Sequence, residues 1–144
     1  FEGYYQNIPE ETSIQGLETE FKYIGFKNVS LDFNYAFIES KSHELYRIPK
    51  HKLNFNSRFD VTNRVNFSLA FQYNSERASP FKENSTPITL GAYSLINLGV
   101  SHQFLNNQLK VFANIFNLFD EIYHEVYRYS TLGRNYKIGV KFSF

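Results

Sequence analysis

Val65-Asn66-Phe67-Ser68-Leu69-Ala70-Phe71-Gln72-Tyr73-Asn74 puts an apolar residue at every odd position and a small or polar one at every even position. Only an extended strand sends alternate side chains to opposite faces, so this stretch reads as a β-strand with one aromatic face and one polar face. The pattern recurs on both sides of it. Upstream, Leu17, Thr19, Phe21 and Tyr23 alternate with Gly16, Glu18, Glu20 and Lys22 in a segment from about Ile14 to Tyr23. Val29, Leu31, Phe33, Tyr35 and Phe37 oppose Ser30, Asp32, Asn34 and Ala36, and Leu53, Phe55, Ser57 and Phe59 oppose Asn54, Asn56, Arg58 and Asp60. Downstream, Ile96, Leu98, Val100 and Phe104 oppose Asn97, Gly99, Ser101 and Gln103. Leu109, Val111, Ala113 and Ile115 oppose Lys110 and Asn114, with Phe112 and Phe116 intruding on the polar side. The last segment sets Tyr136, Ile138, Val140, Phe142 and Phe144 against Asn135, Lys137, Gly139, Lys141 and Ser143. Helical spacing is sustained nowhere, and the Val, Ile, Tyr, Phe and Thr content suits strands, so the chain is all-β.

The connections sort by length. Ile24 to Asn28, Val61 to Asn63 and Leu105 to Asn107 are short enough for tight hairpins. Glu39 to Lys50, Asn74 to Ala92 and Phe119 to Gly133 are long, and the segment before Ile14 reads as another long loop. Short turns at one end and long loops at the other are the layout of an antiparallel transmembrane β-barrel of the bacterial outer membrane. Strands of about 10 residues, rising roughly 3.4 Å each and tilted by about 40°, cover roughly 26 Å, close to the apolar band of such barrels. The aromatic face then meets lipid, and Glu18, Glu20, Asp32, Asn54, Arg58 and Gln72 face a wet lumen.

Composition is compatible with this. The 144 residues include 11 Tyr and 16 Phe but no Cys, Met or Trp. That aromatic content is too high for a polar disordered chain, and the absence of Cys excludes a disulfide framework, a thiolate metal site and a thiol nucleophile. The net charge of +1 gives no reason to expect a nucleic-acid partner. Mean hydropathy of −0.40 and the lack of a long apolar run exclude a transmembrane helix but not transmembrane strands, whose alternation averages out. A chain opening on Phe1, without a leader, is expected to be a processed product or a piece of a longer one.

The C-terminal stretch carries a resemblance. Lys137, Gly139, Phe142 and the terminal Phe144 resemble the signal by which outer-membrane barrels are recognised by their assembly machinery. Before them, Asn117-Leu118-Phe119-Asp120, Tyr123, Gly133-Arg134 and Tyr136 resemble the end of TonB-dependent outer-membrane receptors, with Gly16-Leu17-Glu18 and Ile48-Pro49-Lys50-His51-Lys52-Leu53 as supporting features. The spacing of Tyr123, Val126, Tyr127, Tyr129, Thr131, Gly133 and Arg134 is similar to cobalamin receptors. The resemblance implies that residues 1–144 are the C-terminal part, roughly strands 16 to 22, of a barrel of about 22 strands plugged by an N-terminal domain outside this chain. It further implies an integral outer-membrane receptor-transporter for a metal chelate, a ferric siderophore or a cobalamin, energised by the TonB complex through the N-terminal part. It implies neither an enzyme nor a cofactor.

The candidate ligand contacts are Tyr46 and Arg47 in one long loop, Arg77 and Phe81 in the next, and Tyr123, Tyr127, Arg128 and Tyr129 in the last. Tyr and Arg combine contact area with hydrogen-bond donors and suit anionic or aromatic chelates. The same residues near a bilayer rim also anchor at headgroups or meet lipopolysaccharide phosphates. Asp120-Glu121-x-x-His124-Glu125 has helical metal-ligand spacing but sits in a loop, where solvated charges are the simpler reading, so no metal site is assigned. Ser40, Ser42, His43 and Glu44 could be cast as hydrolytic residues, but no Gly-x-Ser-x-Gly turn accompanies them. The alternatives are a soluble all-β ligand-binding or adhesive module, with the polar faces outside, and another outer-membrane barrel such as a porin.

Overall fold

A computed structural model of the chain describes residues 13–25, 28–41, 45–80, 86–105 and 108–144. Among these residues there are nine strands: β1 (Ile14–Gly25), β2 (Val29–Ser40), β3 (His51–Asp60), β4 (Val65–Asn74), β5 (Arg77–Ser79), β6 (Ile88–Leu90), β7 (Tyr93–Phe104), β8 (Leu109–Phe116) and β9 (Asn135–Phe142). Seven of them form one antiparallel sheet in the order β1-β2-β3-β4-β7-β8-β9, a meander broken only where the small β5-β6 hairpin leaves it. The sheet is open in this chain, with β1 and β9 at its two edges.

Register keeps the two faces in phase across all seven strands. Phe21 stands opposite Phe33, Phe33 opposite Phe55, Phe55 opposite Phe71, and Phe71 opposite Ile96, a continuous apolar row. A shift of one residue in any pair would send that strand's aromatics to the polar side, so the pattern itself specifies the pairing. Among the described residues no second layer covers the apolar face: Phe21, Phe59, Phe67, Ile138 and Val140 are all exposed. The apolar residues buried among those described are Leu90, Tyr93 and Leu95, all at the long-loop end. A soluble sandwich would bury this face against a partner sheet; here it is left for another solvent.

On the polar face, Ser101 Oγ donates to Asn66 Oδ1 at 2.6 Å, Arg58 Nε lies 2.9 Å from Asp60 Oδ1, and Lys22 pairs with Glu20. Phe112, the aromatic that intrudes on this side, lies over Gly139, opposite it in register, where a Cβ would run into its ring.

The 61–64 turn is tight. Thr62 Oγ1 accepts from the backbone N–H of Arg64 (3.2 Å) and Val65 (3.0 Å), and Asn28 and Leu105 take positive φ of 83° and 49° to reverse the chain. Several strands outrun their sequence signal at the other end: β2 continues to Ser40, β3 begins at His51 and β7 at Tyr93. The last strand closes earlier than expected, at Phe142, leaving Phe144 beyond it and fully exposed. The 74–92 connection, expected as loop, contains the β5-β6 pair.

Candidate functional site

The long-loop end gathers most of the buried polar groups, and it does so on the polar side of the sheet. Asn74 ends β4 directly opposite Tyr93, which opens β7; both share a face with the lumen residues Gln72 and Asn97. Asn74 Nδ2 donates to Tyr93 Oη at 2.6 Å, and Tyr93 Oη donates to Glu125 in the last loop. Arg77, in β5, lays its guanidinium 5.4 Å from the centre of the Tyr93 ring. Its Nη2 donates to the His124 carbonyl (2.8 Å) and to Glu125 Oε2 (3.1 Å). The Tyr123 ring packs 4.5 Å from that of Tyr93. Two residues on along the same face of β5, Ser79 is also buried; its Oγ and Arg77 Nη1 have no hydrogen-bond partner among the described residues. The edge of β5 away from β6 holds a third connection: Tyr46 forms a parallel bridge to Ala78, and Arg47 N donates to Ala78 O at 2.7 Å. β5 therefore ties three long connections together.

The Asn117-Leu118-Phe119-Asp120 and Gly133-Arg134 segments close the base of the last loop. Asn117, buried and at φ 52°, donates its N–H to Asn97 Oδ1 (2.8 Å) and brackets the backbone of Glu121 with both side-chain polar atoms. Leu118 N donates to Ile96 O at 2.8 Å, continuing the ladder past the end of β8. Asp120, at φ 58°, accepts the Arg134 N–H on Oδ1 at 2.6 Å, and a Cβ at position 133 would run into that same oxygen, which is why a glycine stands there. Arg134 Nη1 reaches back to Leu118 O at 3.4 Å. Phe119 is exposed, and Tyr136 leaves the closure on the apolar face opposite Ile115. Higher in the loop, Thr131 Oγ1 donates to Tyr123 O (2.6 Å) and His124 Nδ1 to Tyr129 O (3.1 Å).

The candidate contacts thus divide. Tyr46 and Tyr129 are exposed, and Arg128 sits with its guanidinium 5.4 Å from the Tyr127 ring. Arg77 is turned inward, its side chain 2% exposed, and Tyr123 packs against the Tyr93 ring. Phe81 lies outside the described residues, as do Ser42, His43 and Glu44. Asp120 and Glu125 are engaged by Arg134 and by Arg77 with Tyr93, and no cluster suited to a metal ion occurs among the described residues. Lys137 and Gly139 fall on the polar face of β9, while Phe142 lies opposite Leu109 on the apolar face. Sequence reasoning missed Asn74 and Tyr93. Their signal was weak: a polar residue closing one alternating run and a Tyr just before the next.

Residues 2–118 match the family described as TonB dependent receptor-like, beta-barrel. The iron-regulated outer membrane virulence protein of Vibrio cholerae is 27% identical over 98% of this chain, and the chain spans 23% of that relative's length. The siderophore receptor PirA from Acinetobacter baumannii superposes with a TM-score of 0.77 at 22% identity, over 91% of this chain and 22% of that one. The ferripyoverdine receptor of the Pseudomonas aeruginosa outer membrane, bound to ferripyoverdine, superposes with a TM-score of 0.77 at 15% identity, over 92% and 20%. Uncovered aromatics, a polar inner face and loops sorted to one end are what such a barrel wall requires. The chain belongs to the TonB-dependent receptor β-barrel family, and it is a segment of an integral outer-membrane barrel.

Proposed function

We propose that residues 1–144 are the C-terminal part of a receptor-transporter that takes up a ferric siderophore across the outer membrane, driven by the TonB complex through a plug and coupling segment elsewhere in the longer protein. The observation that carries this reading is the convergence of Tyr- and Arg-bearing loops on the lumen side of the long-loop end. Tyr rings and guanidinium groups there suit an anionic, aromatic chelate. Exposed Tyr46, Tyr129 and Arg128, with Arg47 and Tyr127 beside them, make the contacts. The chemistry is binding and gated passage, with no covalent step. The apolar face meets outer-membrane lipid, the loop-end rim meets lipopolysaccharide, and Lys137, Gly139, Phe142 and Phe144 serve recognition by the assembly machinery. Relatives named for iron and for siderophores favour a ferric chelate over a cobalamin.

The test is uptake of radioactive iron, from a panel of ferric siderophores, by cells whose only receptor is the full-length protein. Uptake should require TonB. Transport of labelled cobalamin with none of the iron complexes would overturn the ferric assignment, and uptake independent of TonB would overturn the coupling.

A further inference from the structure

We propose that Arg77 is a positioning residue: it holds the last loop against the β5-β6 hairpin and so sets where Tyr127, Arg128 and Tyr129 stand at the lumen mouth. The proposal rests on the receptor reading for what those residues meet, but the positioning itself rests on geometry. A guanidinium is a poor candidate for direct ligand contact when its side chain is 2% exposed. It is well placed as a strut. One nitrogen, Nη2, holds both the backbone of His124 and the carboxylate of Glu125, 47 and 48 residues away in sequence. The same carboxylate takes the hydroxyl of Tyr93, which Asn74 fixes from the sheet. The strut therefore runs from the rigid rim of β4 and β7, through Tyr93 and Arg77, to a point two residues before Tyr127.

The partners differ in burial: Glu125 is 56% exposed where Arg77 is almost sealed. A buried cation whose counter-ion reaches it from a loop is costly to leave alone, so the loop is drawn back whenever it lifts. Among the described residues, the hydrogen bonds from Arg77 to the last loop go to one carboxylate and one carbonyl. Removing either end should free the loop without disturbing the seven-stranded sheet, whose ladder does not involve them.

The experiment uses the full-length receptor, free of other reactive cysteines, in detergent micelles. Nitroxide labels at Ser130→Cys in the last loop and Ser94→Cys on the sheet rim report their separation by pulsed electron resonance. Both sites are exposed, and the 144 residues contain no Cys of their own. The unsubstituted background should give one narrow distance. Arg77→Gln and Glu125→Gln should each broaden it, and Arg77→Lys should restore much of the narrow peak. Ser79→Ala, on the same buried face of β5, should leave it unchanged and so control for general damage to the hairpin. The half-saturation of iron uptake should rise several-fold in Arg77→Gln while the amount of folded receptor stays the same. A narrow distance in Glu125→Gln, the half-exposed partner that keeps the test open if Arg77→Gln does not fold, would overturn the proposal. A receptor that transports no ferric siderophore yet shows the Arg77-dependent distance would support the strut and overturn the substrate.

Discussion

Gly139 shows how single residues set the character of the wall. Phe112 points to the polar side of β8, where an aromatic ring needs a surface to lie on, and Gly139 opposite supplies a bare stretch of backbone. An aromatic covering a cross-strand glycine shields its backbone and restores packing that glycine lacks. Adding a methyl group at position 139 would force the ring off its rotamer. Gly139→Ala should therefore lower the stability of the full-length receptor by about 1–3 kcal/mol, the usual range for overpacking. Phe112→Ala should also destabilise, by exposing the glycine backbone. The two together should cost less than their sum, because the clash disappears with the ring. Urea titration of the folded, heat-modifiable form in micelles reads all three, and strict additivity would show that the two residues do not act as a pair.

At the scale of elements, the last loop depends on its base. Asp120 does two things there: its carboxylate accepts the Arg134 N–H that opens β9, and its backbone holds a φ of 58° that Asn and Asp tolerate better than other non-glycine residues. Asp120→Asn keeps both properties, whereas Asp120→Ala loses the acceptor and adds strain. The Ala variant should open the base by roughly 1 kcal/mol, about a fivefold rise in loop opening, and the Asn variant by much less. Amide hydrogen exchange at Arg134 in the full-length receptor measures this, and equal exchange in the two variants would sink the argument. The importance of this closure was visible in the sequence as a motif, but its mechanism was not. Strand β4 was fully legible: Val65 to Asn74 alternates without a fault and pairs over that whole length. Ser40 and Tyr93 were not read as strand, because alternation reports the two solvents rather than the hydrogen bonds. Beyond Phe37 the apolar face meets Glu39, and before Ile96 it meets Ser94, yet the ladder continues to Ser40 and from Tyr93. The Arg77–Glu125 contact was illegible for another reason. It joins the three-residue strand β5 to the irregular last loop across 48 residues, and no periodicity links them.

For the whole molecule, the question is which solvent the apolar face meets, since a lipid-facing wall and half of a soluble core share one alternation. The open sheet leaves that face uncovered, and membership of the receptor family places it in the outer membrane. Depth gives the physical signature. Phe55 and Phe59 lie on the same face of the same strand, one near its middle and one at the short-turn end. In a bilayer, an arginine at the midplane costs about 2–4 kcal/mol and one near the interface about 0–1, because the long side chain reaches the headgroups from the rim. Measured against the matching Ala variants, Phe55→Arg should therefore fall in the upper range and Phe59→Arg in the lower. Asn56→Arg, beside Phe55 but facing the wet lumen, should cost little. A packed protein core would instead reject both outward arginines, having no headgroup for either to reach. Folding titrations of the full-length receptor into lipid vesicles provide the comparison. Equal penalties at positions 55 and 59 would mean that the face is buried against protein, while a steep difference would place the bilayer midplane near the Phe21–Phe33–Phe55–Phe71 row.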